Sequence, residues 1–311
     1  MKVKKLFLLI IVLLVFNGLV KGQEDFPLLR GSYLGQKPPG KKAEIFAPGI
    51  VCTEEYHDYH SDYLITDKFF IFKRSGSGMG STVWVTWLKD GQWTRLQKTS
   101  HPGKPWYLNY PFAETGQIIY FSWRGSLGNV SSSYDLNLWL VKKTQNGWSQ
   151  PDKLKAPVNT SSHDTWPGVT SDRTVYFFSG REGGYGKSDI YRTPFENGSH
   201  ARVENLGDII NTKYSEVDPF VAGDESYLIF CSNKPGGMGK LDMYVAFRCA
   251  NGSWRQPVNM GVAVNSSGNE ERPYVTPDGK YFFFTSNRRG KLDIYWINVQ
   301  VIQELEPKTL K

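Results

Sequence analysis

Cysteine is scarce in this 311-residue chain, which has only Cys52, Cys231 and Cys249. An odd count leaves at least one thiol outside any intrachain disulfide. Cys231 ends the apolar run Leu228-Ile229-Phe230 and reads as a small buried hydrophobe. No Cys or His spacing matches a metal centre, so neither a metal nor any other cofactor is expected. Helix-period amphipathic segments are also missing, which excludes a helical architecture. Basic blocks are absent outside the first residues. The formal charge of +7 includes Lys2, Lys4, Lys5 and Lys21, and removing those four leaves +3. That balance gives no footprint for nucleic acid. Finally, there is no Gly-x-Ser-x-Gly elbow, no His-Glu-x-x-His, no phosphate loop and no recognisable Cys-His pair, so no common catalytic machinery is announced.

The N-terminus carries the one long apolar run. Lys2, Lys4 and Lys5 precede Leu6 to Val20, about fifteen residues against the ~20 that a membrane span needs. Residues 1–22 therefore read as a cleaved export signal. Cys52 lies far beyond that cleavage site, so a lipid anchor is not expected. The mature protein is expected to be periplasmic or secreted, with no stable membrane span.

What the chain has in abundance is short apolar runs punctuated by turns. Hydrophobic residues make up 40% and aromatics 14%, alongside 31 glycines and 17 prolines. The stretch Glu270 to Val299 is the clearest copy of a recurring pattern. It runs from a polar approach and Pro273 through a Pro277-Asp278-Gly279 turn to the apolar strand Tyr281 to Phe284. A basic loop residue, Arg288, follows, and then a strand that begins Asp293-Ile294-Tyr295. Earlier copies place Asp62, Pro111, Pro167 and Pro219 where Pro273 stands, at intervals near fifty residues. Their apolar strands are Phe69 to Phe72, Ile118 to Phe121, Val175 to Phe178 and Tyr227 to Phe230. Asp90-Gly91, Asn146-Gly147, Asn197-Gly198 and Asn251-Gly252 mark hairpins between copies. A strand apolar on both faces cannot bury itself alone, so copies must stack.

These features predict an all-β fold: a single β-propeller of four-stranded antiparallel blades, five by count and six as the alternative. The last copy runs out near Val301 after three strands, while Ala43 to Val51 resembles the inter-repeat fourth element. The N-terminal segment is thus expected to supply the outer strand of the last blade and close the ring. The implied organisation is a signal over 1–22, an extension over 23–42, the propeller over 43–301 and a tail over 302–311.

The turn Pro277-Asp278-Gly279, the run Ser286-Asn287-Arg288-Arg289-Gly290 and Asp293-Ile294-Tyr295 resemble the WD40-like repeat of TolB-type propellers from exported bacterial proteins. The opening Tyr33-Leu34-Gly35-Gln36-Lys37-Pro38-Pro39-Gly40 looks like the start of a single-domain subset of that family. The resemblance spans about residues 31 to 300. It implies a propeller fold but selects no activity, because such repeats serve binding proteins, scaffolds and enzyme appendages alike.

Candidate site residues cluster before each first strand, which lines a propeller's central channel. They are Glu55, His57, Tyr107, His163, Asp164, Trp166, Glu216, Asp218, Glu270 and Arg272, a set suited to a cationic, peptidic or sugar ligand. Asp164, Glu216 and Glu270 share one repeat position, and Tyr59 holds it in the first copy. They are candidates for acid–base chemistry. The bland alternative is that they accept backbone N–H bonds at blade junctions. Arg181 with Asp189, Lys234 with Asp242 and Arg288 with Asp293 are expected to form salt bridges that brace each blade. The expected function is non-enzymatic binding of an envelope protein, peptide or glycan; the alternative is a glycan-active hydrolase or lyase using the acidic rim.

Overall fold

The computed structural model describes residues 26–59, 68–76, 79–98, 112–114, 118–124, 136–145 and 147–308. Residues 1–22, read above as an export signal, Tyr107 and the first copy's Asp62 lie outside these residues. The chain forms five antiparallel sheets arranged as the blades of a propeller, in agreement with the repeat count. In blades 1 to 4 the strands follow chain order from the channel outwards, and blade 5 takes its outermost strand from the N-terminal segment. In blade 4 these are Glu216–Val221, Tyr227–Ser232, Asp242–Phe247 and Val258–Asn259.

The expected apolar runs form the second strands, and in blade 5 every residue of Tyr281–Ser286 is buried. Burial on both faces follows because each second strand is sandwiched between the neighbouring blades. The hairpin turns match their residue chemistry. Asp90 and Gly91 both have positive φ, as do Asn197 and Gly198, the geometry of a type I′ turn.

The ring closes as the repeat pattern requires. Glu44–Ile45 pairs antiparallel with the third strand of blade 5, Glu44 opposite Trp296 and Ile45 opposite Tyr295. Phe46, next in the chain, is fully buried. Its ring lies 4.7 Å from Phe70 of blade 1 and 5.1 Å from both Phe283 and Trp296 of blade 5. Tyr33 adds an edge-on contact to Tyr281 at 4.9 Å. Val301 and Ile302, in the short helix Gln300–Gln303, are buried against the same closing blade.

Neighbouring blades come close where glycines allow it. A Cβ on Gly186 would stand 1.8 Å from the Tyr214 carbonyl oxygen, and one on Gly239 would stand 2.0 Å from that of Gly268. Both glycines sit in loops that enter a third strand, beside the link into the next blade. Any side chain there would force adjacent blades apart.

A candidate binding cluster in the central channel

Two sets of polar residues occupy the start of the first strands, and they behave differently. The first set repeats. Asp58, Asp164, Glu216 and Glu270 are fully buried. Each donates its own N–H to the preceding blade, at the carbonyls of Leu292, Leu136, Ser188 and Leu241, with distances of 2.8, 2.9, 2.8 and 2.8 Å. Their carboxylates then accept bonds within their own blade. Asp164 takes the Thr160 N–H and hydroxyl (2.6 and 2.8 Å), the Ser179 hydroxyl (2.6 Å) and Arg181 (2.6 Å). Glu216 accepts from Thr212 and Ser232, and Glu270 from Ser266, Ser286 and Arg288.

In blades 1, 3 and 5 the brace includes an arginine that reaches further. Arg74, Arg181 and Arg288 donate to the carbonyls of Val51, Val158 and Val264, tying the link between blades to the acid. A buried carboxylate needs this density of donors. In Asp58, burial still outweighs Arg74 and Thr53 and raises the carboxyl above its ordinary range.

This arrangement corrects the expected salt bridges. Arg181 and Arg288 pair with the first-strand acids Asp164 and Glu270, not with Asp189 and Asp293. The reason lies in the loop. Asp189 is already engaged by the N–H groups of Tyr185 and Gly186 at 2.7 and 3.0 Å and by the Asn205 amide at 2.8 Å. Asp242 likewise accepts from Met238, Gly239 and Asn259. Lys234 instead lies 4.0 Å from the Tyr244 ring centre. In blade 5, Asp293 is bonded by Lys291. The acid of blade 1 is Asp58, not Tyr59: counted back from the start of the second strand at Phe69 it keeps the spacing that Asp164, Glu216 and Glu270 have from theirs, whereas alignment on Asp62 pointed one residue too far.

His57 and His163 serve the same junctions. Their Nδ1 atoms accept the N–H of Leu292 (3.1 Å) and Leu136 (3.0 Å) in the preceding blade. Glu55 is exposed on the same end of the ring.

The second set does not repeat. Two residues beyond each acid, Trp166, Asp218 and Arg272 all adopt positive φ (62°, 52° and 59°). Each stands at a β-bulge and precedes a proline. The bulge turns these three side chains inwards, and they meet. The Arg272 guanidinium carbon lies 4.5 Å from the Tyr59 ring centre and 5.6 Å from that of Trp166. Blades 5, 1 and 3 thus touch across the channel, since blades 3 and 5 are not neighbours. The Arg272 N–H donates to Asp218 Oδ2 at 3.2 Å, and Arg272 Nη2 is 3.7 Å from Glu271. Arg272 Nη1 and Trp166 Nε1 are buried yet meet no acceptor among the described residues.

Asp218 is 8% exposed. Burial, with help from the Glu271 charge, pushes its carboxyl up to about 7, against the opposing pull of Arg272. The cluster therefore holds one fixed cation, one carboxyl that titrates near neutrality, a second carboxylate and two aromatic faces. Tyr59 and Glu271 complete a group whose other members were expected. The signal in the sequence was variation: this position changes chemistry from copy to copy inside a pattern that otherwise repeats.

No family model and no curated protein sequence matches the chain. Among solved structures, it is similar to a TolB from Agrobacterium tumefaciens, with 15% identity and a TM-score of 0.44. The match covers 75% of this chain and 69% of that one. A TolB from Acinetobacter baumannii gives 13% identity and 0.41, over 80% of this chain and 64% of that one. An endo-arabinase from Bacteroides thetaiotaomicron gives 10% identity and 0.49, over 80% and 95%. The names range from TolB to a glycan-cleaving enzyme, so the likeness selects no activity.

Proposed function

We propose that this protein is an exported, non-enzymatic propeller that binds an envelope protein, peptide or glycan through the mouth of its central channel. The observation that carries this reading is the cluster of Tyr59, Trp166, Asp218, Glu271 and Arg272. Its buried donors at Arg272 Nη1 and Trp166 Nε1 have no acceptor among the described residues. Unpaired buried donors cost about 1–3 kcal/mol each, and a ligand that accepts from them recovers that cost. The repeated acids, by contrast, commit their lone pairs to Ser, Thr, Arg and backbone donors, which supports reading Asp164, Glu216 and Glu270 as scaffold. Export rests on the basic and apolar leader of residues 1–22; no helix among the described residues is long and apolar enough to cross a membrane.

The test is affinity capture from the native envelope fraction together with a glycan array, using the wild type and Trp166→Ala. The reading expects a retained partner that the variant loses while keeping its melting temperature. Equal capture by both proteins would sink it. A second reading, glycan hydrolysis, draws on Asp218, because a carboxyl raised to about 7 beside a second carboxylate is the tuning that acid catalysis uses. Product release from a bound oligosaccharide would favour that second reading.

A further inference from the structure

The polar groups of the channel cluster restrict the chemistry of a ligand. Arg272 and Trp166 present two buried N–H donors without acceptors among the described residues, so the ligand must carry lone pairs. A cation with donors only cannot supply them. An anion is disfavoured by the charge balance, because Glu271 lies 3.7 Å from the one guanidinium and the Asp218 carboxyl stands beside it, accepting the Arg272 backbone N–H at 3.2 Å. Those two carboxyl groups call for donors on the ligand. A neutral group that accepts and donates within a few ångströms, beside aromatic faces, meets every condition.

Adjacent hydroxyls on a sugar ring have this property, since each oxygen both accepts and donates. An extended peptide backbone fits less well. The inner edge of the first strands is bulged at this level in blades 3, 4 and 5. Pro167, Pro219 and Pro273 stand at those bulges and have no N–H to offer. A peptide strand would therefore find no regular ladder to extend.

We propose that the channel binds a neutral saccharide, whose neighbouring hydroxyls accept from Arg272 Nη1 and Trp166 Nε1 and donate to Asp218 or Glu271. The proposal rests on the reading of the channel mouth as a binding surface and names its ligand class. Tyr59 holds the Arg272 side chain in place through its 4.5 Å face contact.

The experiment screens the mature protein against an array of neutral gluco-, manno-, galacto-, xylo- and arabino-oligosaccharides, uronic-acid and sialylated glycans, and a peptide library. Hits are followed by calorimetry. Trp166→Phe removes one donor and keeps the ring; Arg272→Lys keeps the charge and removes the fork. Each variant is expected to weaken neutral-glycan binding by about tenfold or more, the equivalent of one lost buried hydrogen bond. Melting temperatures establish that both fold, and Trp166→Phe stands alone if Arg272→Lys does not. Binding only to acidic glycans, to no glycan, or to neutral glycans with unchanged affinity in the folded variants overturns the proposal. Capture of a peptide through the same residues overturns the saccharide and leaves the binding function standing. Cleavage of a bound neutral glycan does the reverse.

Discussion

The junction carboxylates and the channel cluster lie two residues apart in blades 3, 4 and 5, yet they follow opposite rules. Asp164, Glu216 and Glu270 are surrounded by donors that recur from blade to blade. Trp166, Asp218 and Arg272 share a backbone geometry but not a chemistry, and they leave donors over. In a repeat protein, what recurs holds the ring together. What varies at a fixed geometry is free to serve a ligand. One bulge recurs in three blades and is decorated differently in each.

That contrast can be broken most easily from the scaffold side. Asp164→Ala should cost about 3–5 kcal/mol, since it strands Arg181, Ser179 and Thr160 in a buried site. Phe46→Ala should cost a similar ~3–5 kcal/mol by emptying the seam between blades 1 and 5. Both are read from denaturant unfolding, and a loss under about 1 kcal/mol in either case would contradict the assignment. On the site side, Asp218→Asn should act through pH. The Asp218 carboxyl is raised from 3.8 to about 7 in the folded state, so its stabilising contribution is full below about pH 4 and is lost as pH rises through 7. The wild type should lose on the order of 1 kcal/mol per pH unit across that window. The substituted amide cannot ionise, so the variant should show a flatter profile and be the more stable protein at about pH 8. An unchanged profile would place the titration elsewhere.

The smallest expected effect concerns Cys52. It occupies the position held by Asn159, Asn211 and Asn265, each of which bonds both the N–H and the carbonyl of a third-strand residue. Cys52 imitates this with Ile294, accepting at 3.2 Å and donating at 3.6 Å through sulfur. Sulfur makes weaker hydrogen bonds than an amide, so Cys52→Asn should raise stability by about 0.5–1 kcal/mol, seen as a higher melting temperature. Burial drives the Cys52 thiol well above its ordinary range, so it should also resist alkylation until the protein unfolds.

The fold was legible because its signals are local and repeated: turns, two-sided apolar strands and Asn-Gly hairpins. Closure was legible because the last copy lacked a strand and the N-terminus had a spare one. The arginine pairing was not, because sequence proximity favours Arg181 with Asp189 while strand register sets Asp164 and Asp189 on either side of Ser179. Only the geometry reveals that loop amides claim Asp189. The Cys52 equivalence was hidden by the exchange of an amide for a thiol and by the longer link that follows it. The channel residues were individually visible, but their meeting depends on the cross-ring distance, which no local pattern encodes.

The closing seam has a consequence for how the molecule comes into being. Cys52 and Ile294 bond across 242 residues of chain, and the Glu44–Ile45 strand pairs at the same place. A ribosome makes the first partner long before the second, so Phe46 and an open strand edge must wait, exposed, until nearly the whole chain has emerged. Contacts this distant in sequence slow folding and lengthen the time at risk of aggregation. Synthesis and handling of this protein should therefore be limited by its final join, and a circular permutant that places residues 43–52 after residue 298 should refold faster than the natural order.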